Sequence, residues 1–526
     1  MDGPTVLVAG AGPTGLALAC GLRAAGTSVR VVDAAKEPAR TSRALGLQPR
    51  GSEVLDRLGA LEDLPRSSIP IRQVIAHVDG RPVARLKLGR PTKLVTRPGL
   101  LISQAEVEAR LRNRLSQLGV EVEWGRELTS AEQDADGVTA TLNGDVTSGT
   151  TGEIADGNTG EPIRADWLVG CDGAHSRVRR AAGIGFPGVP VVERFLLADV
   201  RAQLPFPRDA ASVWLRGEQM CGVFPLPGDT WRVMAPAAAG TGADLGPEEL
   251  LGVLAGALRE MAGLESVPVR ETLWTSTFRI HRRLASTYRQ GRMLLAGDAA
   301  HIHSPLGGQG LNTGLGDAEN LAWKLALVAS GRAGDGLLET YEAERRPVAR
   351  EVVESTSALT RVVTGQNAPA RALRDHVLVP LLNRPLVQRL VWEEASQLKI
   401  GYRGGPLARR SPRTWTTRGP HPGDRVPDLE CTTGDGRGTR LHAELGSRWA
   451  LLLPRGAEGG CAELARRRLG GAERVSVLTP AGRSPGGASA PHALLVRPDA
   501  HLAWRGTSPD ALAAWLTSAL VGGHVR

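Results

Sequence analysis

Lysine is almost missing from this chain: of 64 basic residues five are Lys and 59 are Arg. That skew reads as codon bias. Basic residues form no long run, and "ARRRLGG" at 465–471 falls on a helical pattern that reads as a solvated face, so the net charge of +9 does not make a nucleic-acid binder. Cysteine is scarce too. Cys20, Cys171, Cys221, Cys431 and Cys461 are odd in number, far apart and free of any CxxC pair, which excludes a disulfide framework and a zinc ribbon and fits a reducing cytoplasm. No uncharged apolar stretch reaches the ~18–20 residues that cross a bilayer. The start, "MDGP", has no basic leader and runs straight into a strand. A soluble, cytoplasmic protein without membrane or nucleic-acid partners is expected. His301 and His303 form an H-x-H pair, but no third ligand of matching spacing lies near, so no metal is expected.

Glycine, by contrast, is plentiful, with 65 residues. The sharpest use of it comes first. "TVLVAG" reads as a buried strand, "GAGPTG" as a turn, "LALACGLRAAG" as a helix ending on Gly26, and "SVRVVD" as a second strand. Gly10, Gly12 and Gly15 thus give G-x-G-x-x-G inside a βαβ unit, with Pro13 and Thr14 opening the helix and Asp33 followed by Ala34 closing the second strand. Gly10 serves the tight turn, Gly12 the approach of a pyrophosphate, and Gly15 the close packing of helix on strand. The helix amides and partial positive charge meet the phosphates, while Asp33 accepts from a ribose hydroxyl.

Organisation follows from length and pattern. A chain of 526 residues calls for two or three domains. Residues 1–71, 98–185 and 276–395 read as one discontinuous Rossmann-like domain, with Arg43 in an Arg-rich loop, Gln104 at the head of an amphipathic helix, and a polar hairpin at 130–165. Residues 72–97 and 186–275 read as strands with Pro and Gly turns, an inserted and mostly antiparallel domain. It holds Trp214, Met220, Phe224 and Pro225, each readable as core or as substrate wall. A Pro-, Gly- and Arg-rich linker at 396–422 leads to 423–526, which reads as alternating strands and helices of thioredoxin-like order. Without CxxC this module has no disulfide chemistry, leaving a structural or oligomer-forming role. In "RPDAHLAW" a hairpin turn would prefer Asp-Gly at 499 and 500, so that hairpin reads as loose.

Four stretches in this order, "GAGPTG" at 10–15, "GCDGAHSRVR" at 170–179, "GDAAH" at 297–301 and "GGQGLNTGLGDAENLAWKL" at 307–325, resemble the single-component FAD-dependent aromatic hydroxylases of the para-hydroxybenzoate hydroxylase type. The match covers roughly residues 1–390. With the redox-dead tail included, the chain looks most similar to bacterial aromatic polyketide hydroxylases and their relatives. The resemblance implies an α/β fold: a Rossmann-like FAD domain, an inserted antiparallel substrate domain and a C-terminal thioredoxin-like domain.

It also implies a non-covalent FAD stretched between the N-terminal turn and the glycine-rich loop. Asp33 would hold the adenosine ribose, Arg43 and Gln104 would lie near the diphosphate and ribityl chain, Asp172 would contact FAD and NAD(P)H, and Asp298, after Gly297, would accept from a ribityl hydroxyl or sit beside the pyrophosphate. Gly308 and Gly310 would admit the flat ring, and the amides of Leu311 and Asn312, at a helix start near residue 312, would face its pyrimidine edge. With one G-x-G-x-x-G only, NADPH or NADH would visit transiently. The implied reaction is hydroxylation of a polycyclic aromatic substrate by O2 through a flavin C4a-hydroperoxide, with Baeyer–Villiger insertion as the alternative. Pro305, at the mouth of the loop, is placed at the reacting end. Arg50 is a candidate base for a phenol, with Arg43 and Arg279 beside it, each also readable as a phosphate or surface Arg. A reductase on the same fold and a non-catalytic flavin-binding partner protein are the rival readings. Monomer and homodimer both stay open.

Overall fold

The computed structural model describes residues 3–41, 44–143, 160–237, 245–304, 307–364, 367–408, 419–454, 460–481 and 492–520. Arg43, Pro305 and the tip of the polar hairpin at 144–159 lie outside them.

Strand Val6–Ala9 is buried along its whole length, as a strand covered on both faces must be. It sits inside a six-stranded sheet whose order is Arg289–Gln290, Met293–Leu295, Trp167–Gly170, Val6–Ala9, Val29–Asp33 and Val122–Trp124. Every pairing is parallel except the first. Helix Pro13–Ala24 packs on this sheet together with helices Gln104–Gln117 and Gly310–Ala329. The carboxyl ends of Val6–Ala9, Trp167–Gly170 and Met293–Leu295 therefore open on the same side, which is where ligands of parallel sheets bind.

The inserted domain is an eight-stranded sheet in the order His301–Ile302, Val269–Leu284, Gly188–Ala202, Thr230–Pro236, Gln219–Pro225, Ala210–Arg216, Gln73–Val78 and Arg81–Lys87. Its one parallel pairing joins Ala210–Arg216 to Gln73–Val78. Strands of segments 72–97 and 186–275 both belong to this sheet, and it does not stop at residue 275. Strand Val269–Leu284 runs through it and pairs with His301–Ile302, so the sheet extends to the edge of the glycine-rich loop.

Beyond residue 422 a six-stranded sheet, Gly438–Arg440, Glu430–Thr433, Val475–Pro480, Trp449–Leu452, Ala493–Val496 and Leu502–Gly506, carries helices Gly460–Leu469 and Pro509–Leu520. The first hairpin of this sheet was not legible in the sequence. Two further expectations change. The described part of the 396–422 segment is docked rather than free: Tyr402 and Leu407 are buried, and the Ser396 carbonyl accepts from the Arg50 amide. The hairpin at 499–500 is not loose either. Ala500 is fully buried with φ at 60°, and its amide donates to the Arg497 carbonyl.

Candidate cofactor site

Two glycine-rich turns that are far apart in sequence meet at Thr14. A Cβ placed on Gly297 would lie 2.6 Å from Thr14 Oγ1, and one on Gly314 only 2.2 Å from it. Those two glycines let the N-terminus of helix Pro13–Ala24 dock onto the 297–299 turn and onto helix Gly310–Ala329. The first turn shows a division of labour. Gly10 (φ 103°) lies against the Cys171 carbonyl, and Gly15 against the Gly10 carbonyl, where a Cβ would come within 2.3 and 1.9 Å of oxygen. Gly12 meets nothing within 4 Å. Its missing side chain leaves room that no protein atom uses, at a helix N-terminus with unbonded amides.

Asp33 ends the strand Val29–Asp33. Its Oδ2 accepts from the Ala11 amide at 2.7 Å and Oδ1 from the Ala35 amide at 2.8 Å, which fixes the carboxylate and leaves further lone pairs for a hydroxyl. Ala34 is exposed beside it. Gln104 donates to Glu108 Oε1 at 2.7 Å. Sequence reasoning missed Glu108: burial, and to a lesser degree Asp33, raise its carboxyl above the usual range. An acid one turn into a helix that begins near the dinucleotide turn was the available signal.

Asp172 Oδ2 accepts from the Arg177 and Val178 amides at 2.7 and 3.1 Å, while Oδ1 is buried with no partner. Asp298 is exposed at the end of the Met293–Leu295 strand. The structural work there falls to Asp317, which the sequence did not single out. Fully buried, it accepts from the Gly297 amide (3.1 Å), His301 Nε2 (2.6 Å) and Arg345 Nε (2.7 Å). Burial pushes its pKa up, but His301 and Arg345 override that and hold it below the usual range.

The 307–312 turn leads into helix Gly310–Ala329. Gly308 has φ at 62° and no neighbour nearer than 3.9 Å to an added Cβ; at Gly310 the nearest atom, on His303, is 3.5 Å away. The helix begins at Gly310, two residues before the expected start, so the Leu311 and Asn312 amides fall in the first turn, where no intrahelical acceptor exists. The Asn312 side chain braces the turn: Oδ1 accepts from the Gln48 amide at 2.8 Å, and Nδ2 donates to the Gly46 and Gly308 carbonyls at 3.1 and 3.0 Å. Because a carbonyl only accepts, the contact of His303 Nδ1 with the Ser304 carbonyl at 3.0 Å puts the proton on Nδ1. Nε2 is then a buried lone pair without a partner. Open glycines, free helix amides and two orphaned buried polar atoms, on Asp172 and His303, are what an extended dinucleotide cofactor with a flat ring would satisfy.

The four aromatic and apolar residues expected to line a substrate wall do not share a face. Trp214 and Pro225 point toward helix Pro247–Ala262, where Trp214 is core and stacks on His77 at 4.7 Å. Met220 and Phe224 project from the opposite face, with Phe195 and Met234. That face also carries Asp199 and Arg232, joined by two bonds of 2.7 Å, a pair the sequence did not reveal. Arg50 is corrected. Its guanidinium is buried against Glu319 Oε2 (3.3 Å) and the Asp499 carbonyl (3.1 Å), so it ties helix Pro49–Leu58 to the C-terminal module and is not available as a base.

Two family models match the chain: an FAD binding domain over residues 4–356 and the C-terminal domain of aromatic-ring hydroxylases over 419–521. The 6-methylpretetramide 4-monooxygenase of Streptomyces rimosus is 37% identical over 536 residues, covering 96% of this chain and 91% of that protein. A rifampicin monooxygenase of Streptomyces venezuelae is 34% identical and covers 98% of this chain and 99% of its own. The structure of an anhydrotetracycline hydroxylase from Streptomyces rimosus matches with a TM-score of 0.79 at 34% identity, over 99% of both chains.

Proposed function

Since the chain belongs to the FAD-binding aromatic-ring hydroxylases and is a flavoprotein monooxygenase, we propose that it uses NAD(P)H and O2 to hydroxylate a polycyclic aromatic substrate of polyketide type. The observation that supports this reading is the meeting of both glycine-rich turns at Thr14, which brings two distant stretches together as one extended FAD site would require. Hydroxylating relatives along the whole chain favour ring hydroxylation over Baeyer–Villiger insertion.

Residue roles follow from placement. Gly12 and the amides that open helix Pro13–Ala24 receive the diphosphate, Asp33 the adenosine ribose, Asp298 the ribityl chain, and the amides of Leu311 and Asn312 the ring edge. Bound FAD supplies hydride acceptance and oxygen activation. The protein binds and orients the two reactants and keeps water from them. Phe224, half-buried on the sheet face turned away from helix Pro247–Ala262, offers an apolar contact for fused rings over a core that holds Met220. A dry site of this kind favours oxygen transfer over release of peroxide. All five cysteines are unpaired, which supports a reducing, cytoplasmic setting.

The test is mass spectrometry of products from a panel of polycyclic phenols, with NADPH and NADH compared under labelled O2. Gain of one labelled oxygen is expected. Substrate-independent peroxide production across the whole panel, with no labelled product, would refute the proposal.

A further inference from the structure

Four non-glycine residues among those described have positive φ, and one of them, Ala500, is fully buried. An alanine in the left-handed region is strained, and an observed outlier of this kind points toward a function for the turn that holds it. Here the turn drives Asp499 out of its own module and into the gap between helices Gly310–Ala329 and Gly336–Thr364. Asp499 Oδ2 accepts from Asn320 Nδ2 and Trp323 Nε1, both at 3.3 Å, and Oδ1 from Arg497 Nε at 3.0 Å. Arg497 in turn grips both oxygens of Glu344 at 2.7 and 2.9 Å, and Glu344 accepts from Asn320 and Lys324, both at 2.8 Å.

These charged groups are sealed from solvent: the side chains of Arg497, Glu344 and Asp499 are each 1% exposed, and Lys324 is 0%. Buried ionic clusters are poor sources of stability, since desolvation offsets most of the attraction; their best-attested use is to fix one register against its alternatives. Apolar packing already joins the two parts. Trp323 and Leu327 of the helix share a core with Trp449 and Leu495 of the module, and Trp323 meets Trp449 edge to face at 5.2 Å. An apolar seam alone would let the helix slide or turn. Directional bonds from Asn320 and Trp323 to Asp499 set where it stops.

The same helix begins, ten residues before Asn320, at Gly310. Arg345, the neighbour of Glu344, donates to Asp317 and, at 3.0 Å, to the Thr313 carbonyl, and Asp317 holds the Gly297 amide. From these contacts we propose that Asp499, carried on the hairpin tip of the C-terminal module, is a positioning residue of the flavin site. It sets the register of helix Gly310–Ala329, and through it the place of the Leu311 and Asn312 amides, about 15 Å away along the helix. The proposal rests on the flavin ring lying at the 307–312 turn.

Asp499→Asn in the full chain is the test, since it keeps size and removes the charged acceptor. Three quantities are read: the FAD Kd of the apoprotein, the visible absorption and circular dichroism of the bound flavin, and the melting of the apoprotein. A rise in Kd of about tenfold with a shifted flavin spectrum is expected. A variant that melts lower but binds FAD within twofold of wild type, with an unshifted spectrum, overturns the proposal and leaves the tip a purely structural clamp. Should Asp499→Asn not fold, Trp323→Phe removes a single donor to Asp499 and is read the same way. A rise in Kd of about threefold is expected there, and wild-type Kd with wild-type spectrum overturns the proposal. If the wild-type chain takes up no FAD, the flavin-site reading itself falls; if it does and Asp499→Asn matches it, only the positioning role falls.

Discussion

Replacing Gly12 by alanine separates what the dinucleotide turn owes to the protein from what it owes to the cofactor. The backbone at Gly12 (φ −70°, ψ 178°) is one alanine adopts, and the added methyl meets no atom within 4 Å. Alanine is a poorer N-cap than glycine by roughly 0.5–1 kcal/mol, and its smaller unfolded-state entropy returns about 0.4–1 kcal/mol. Folding should therefore be unchanged to within about 0.5 kcal/mol. The same change at Gly15 puts a Cβ 1.9 Å from the Gly10 carbonyl oxygen, backbone against backbone with nothing flexible to yield, and should cost about 1–3 kcal/mol or more. For the cofactor the order reverses. A methyl at Gly12 stands where the diphosphate must approach, and losing one charge-assisted bond of about 1.5–3 kcal/mol raises the FAD Kd about 10- to 150-fold. Fluorescence titration of the apoproteins with FAD, alongside their melting curves, measures both. Gly12→Ala binding FAD within threefold of wild type, or melting as low as Gly15→Ala, would refute the reasoning.

Gly310→Val should cost flavin occupancy or coupling before it costs folding, because its backbone is helical and nothing lies nearer than 3.5 Å to an added Cβ, whereas Gly308→Val, at φ 62°, should cost folding as well; full occupancy with unchanged peroxide leakage in Gly310→Val would contradict this. Asp317→Ala strands Arg345 and His301 in a dry site and should lose about 3–5 kcal/mol in denaturant unfolding; a loss under 1 kcal/mol would show that the trio contributes little. The buried charges at the module seam also set a pH dependence. Glu53 and Glu344 are held at about 2 rather than 4.5, burial being outweighed by Arg425 and Arg497 respectively. The stability they contribute is complete above pH 4.5 and is lost as pH falls toward 2. His442 is held below its usual range by burial and Arg57, so the unfolded chain takes up its proton first and stability already declines below about pH 6.5. Lys324 is pushed by burial to about 8 from 10.5; between those values the unfolded chain binds more protons, and stability rises with pH. Urea midpoints should climb from about pH 3 to about 6.5, and a flat acid limb would sink the assignment; above about pH 8 the thiols of Cys20, Cys221 and Cys431, pushed up by burial, oppose the Lys324 limb.

The parts legible in the sequence are those where one local pattern has one physical use. G-x-G-x-x-G between two β-rich runs can hardly be other than a dinucleotide turn, and the run before Asp298 is a buried strand as read. Hairpin 72–87 joins the inserted sheet because both segments share its alternation. What escaped depends on pairing across hundreds of residues. Asp298 and Asp317 look alike in sequence, and only the distant Arg345 and His301 decide that the second is the buried brace. Arg50 looked reactive because nothing local shows that Glu319 and the Asp499 carbonyl enclose it. Trp214 and Phe224 were read together, yet strand parity puts them on opposite faces. Ala500 was read as a poor turn residue; that reading was right about propensity and wrong about looseness, because the seam holds the turn in place.

The seam also bears on how the protein is made. Gly12 leaves the ribosome 487 residues before Asp499, which at 5–20 residues per second is roughly 25–100 s. Throughout that interval the dinucleotide half can fold, but the hairpin tip that completes the support of helix Gly310–Ala329 has not been synthesised. Flavin capture at full affinity then waits on the synthesis of Asp499, and a chain that stalls before that residue should be released as a flavin-poor species.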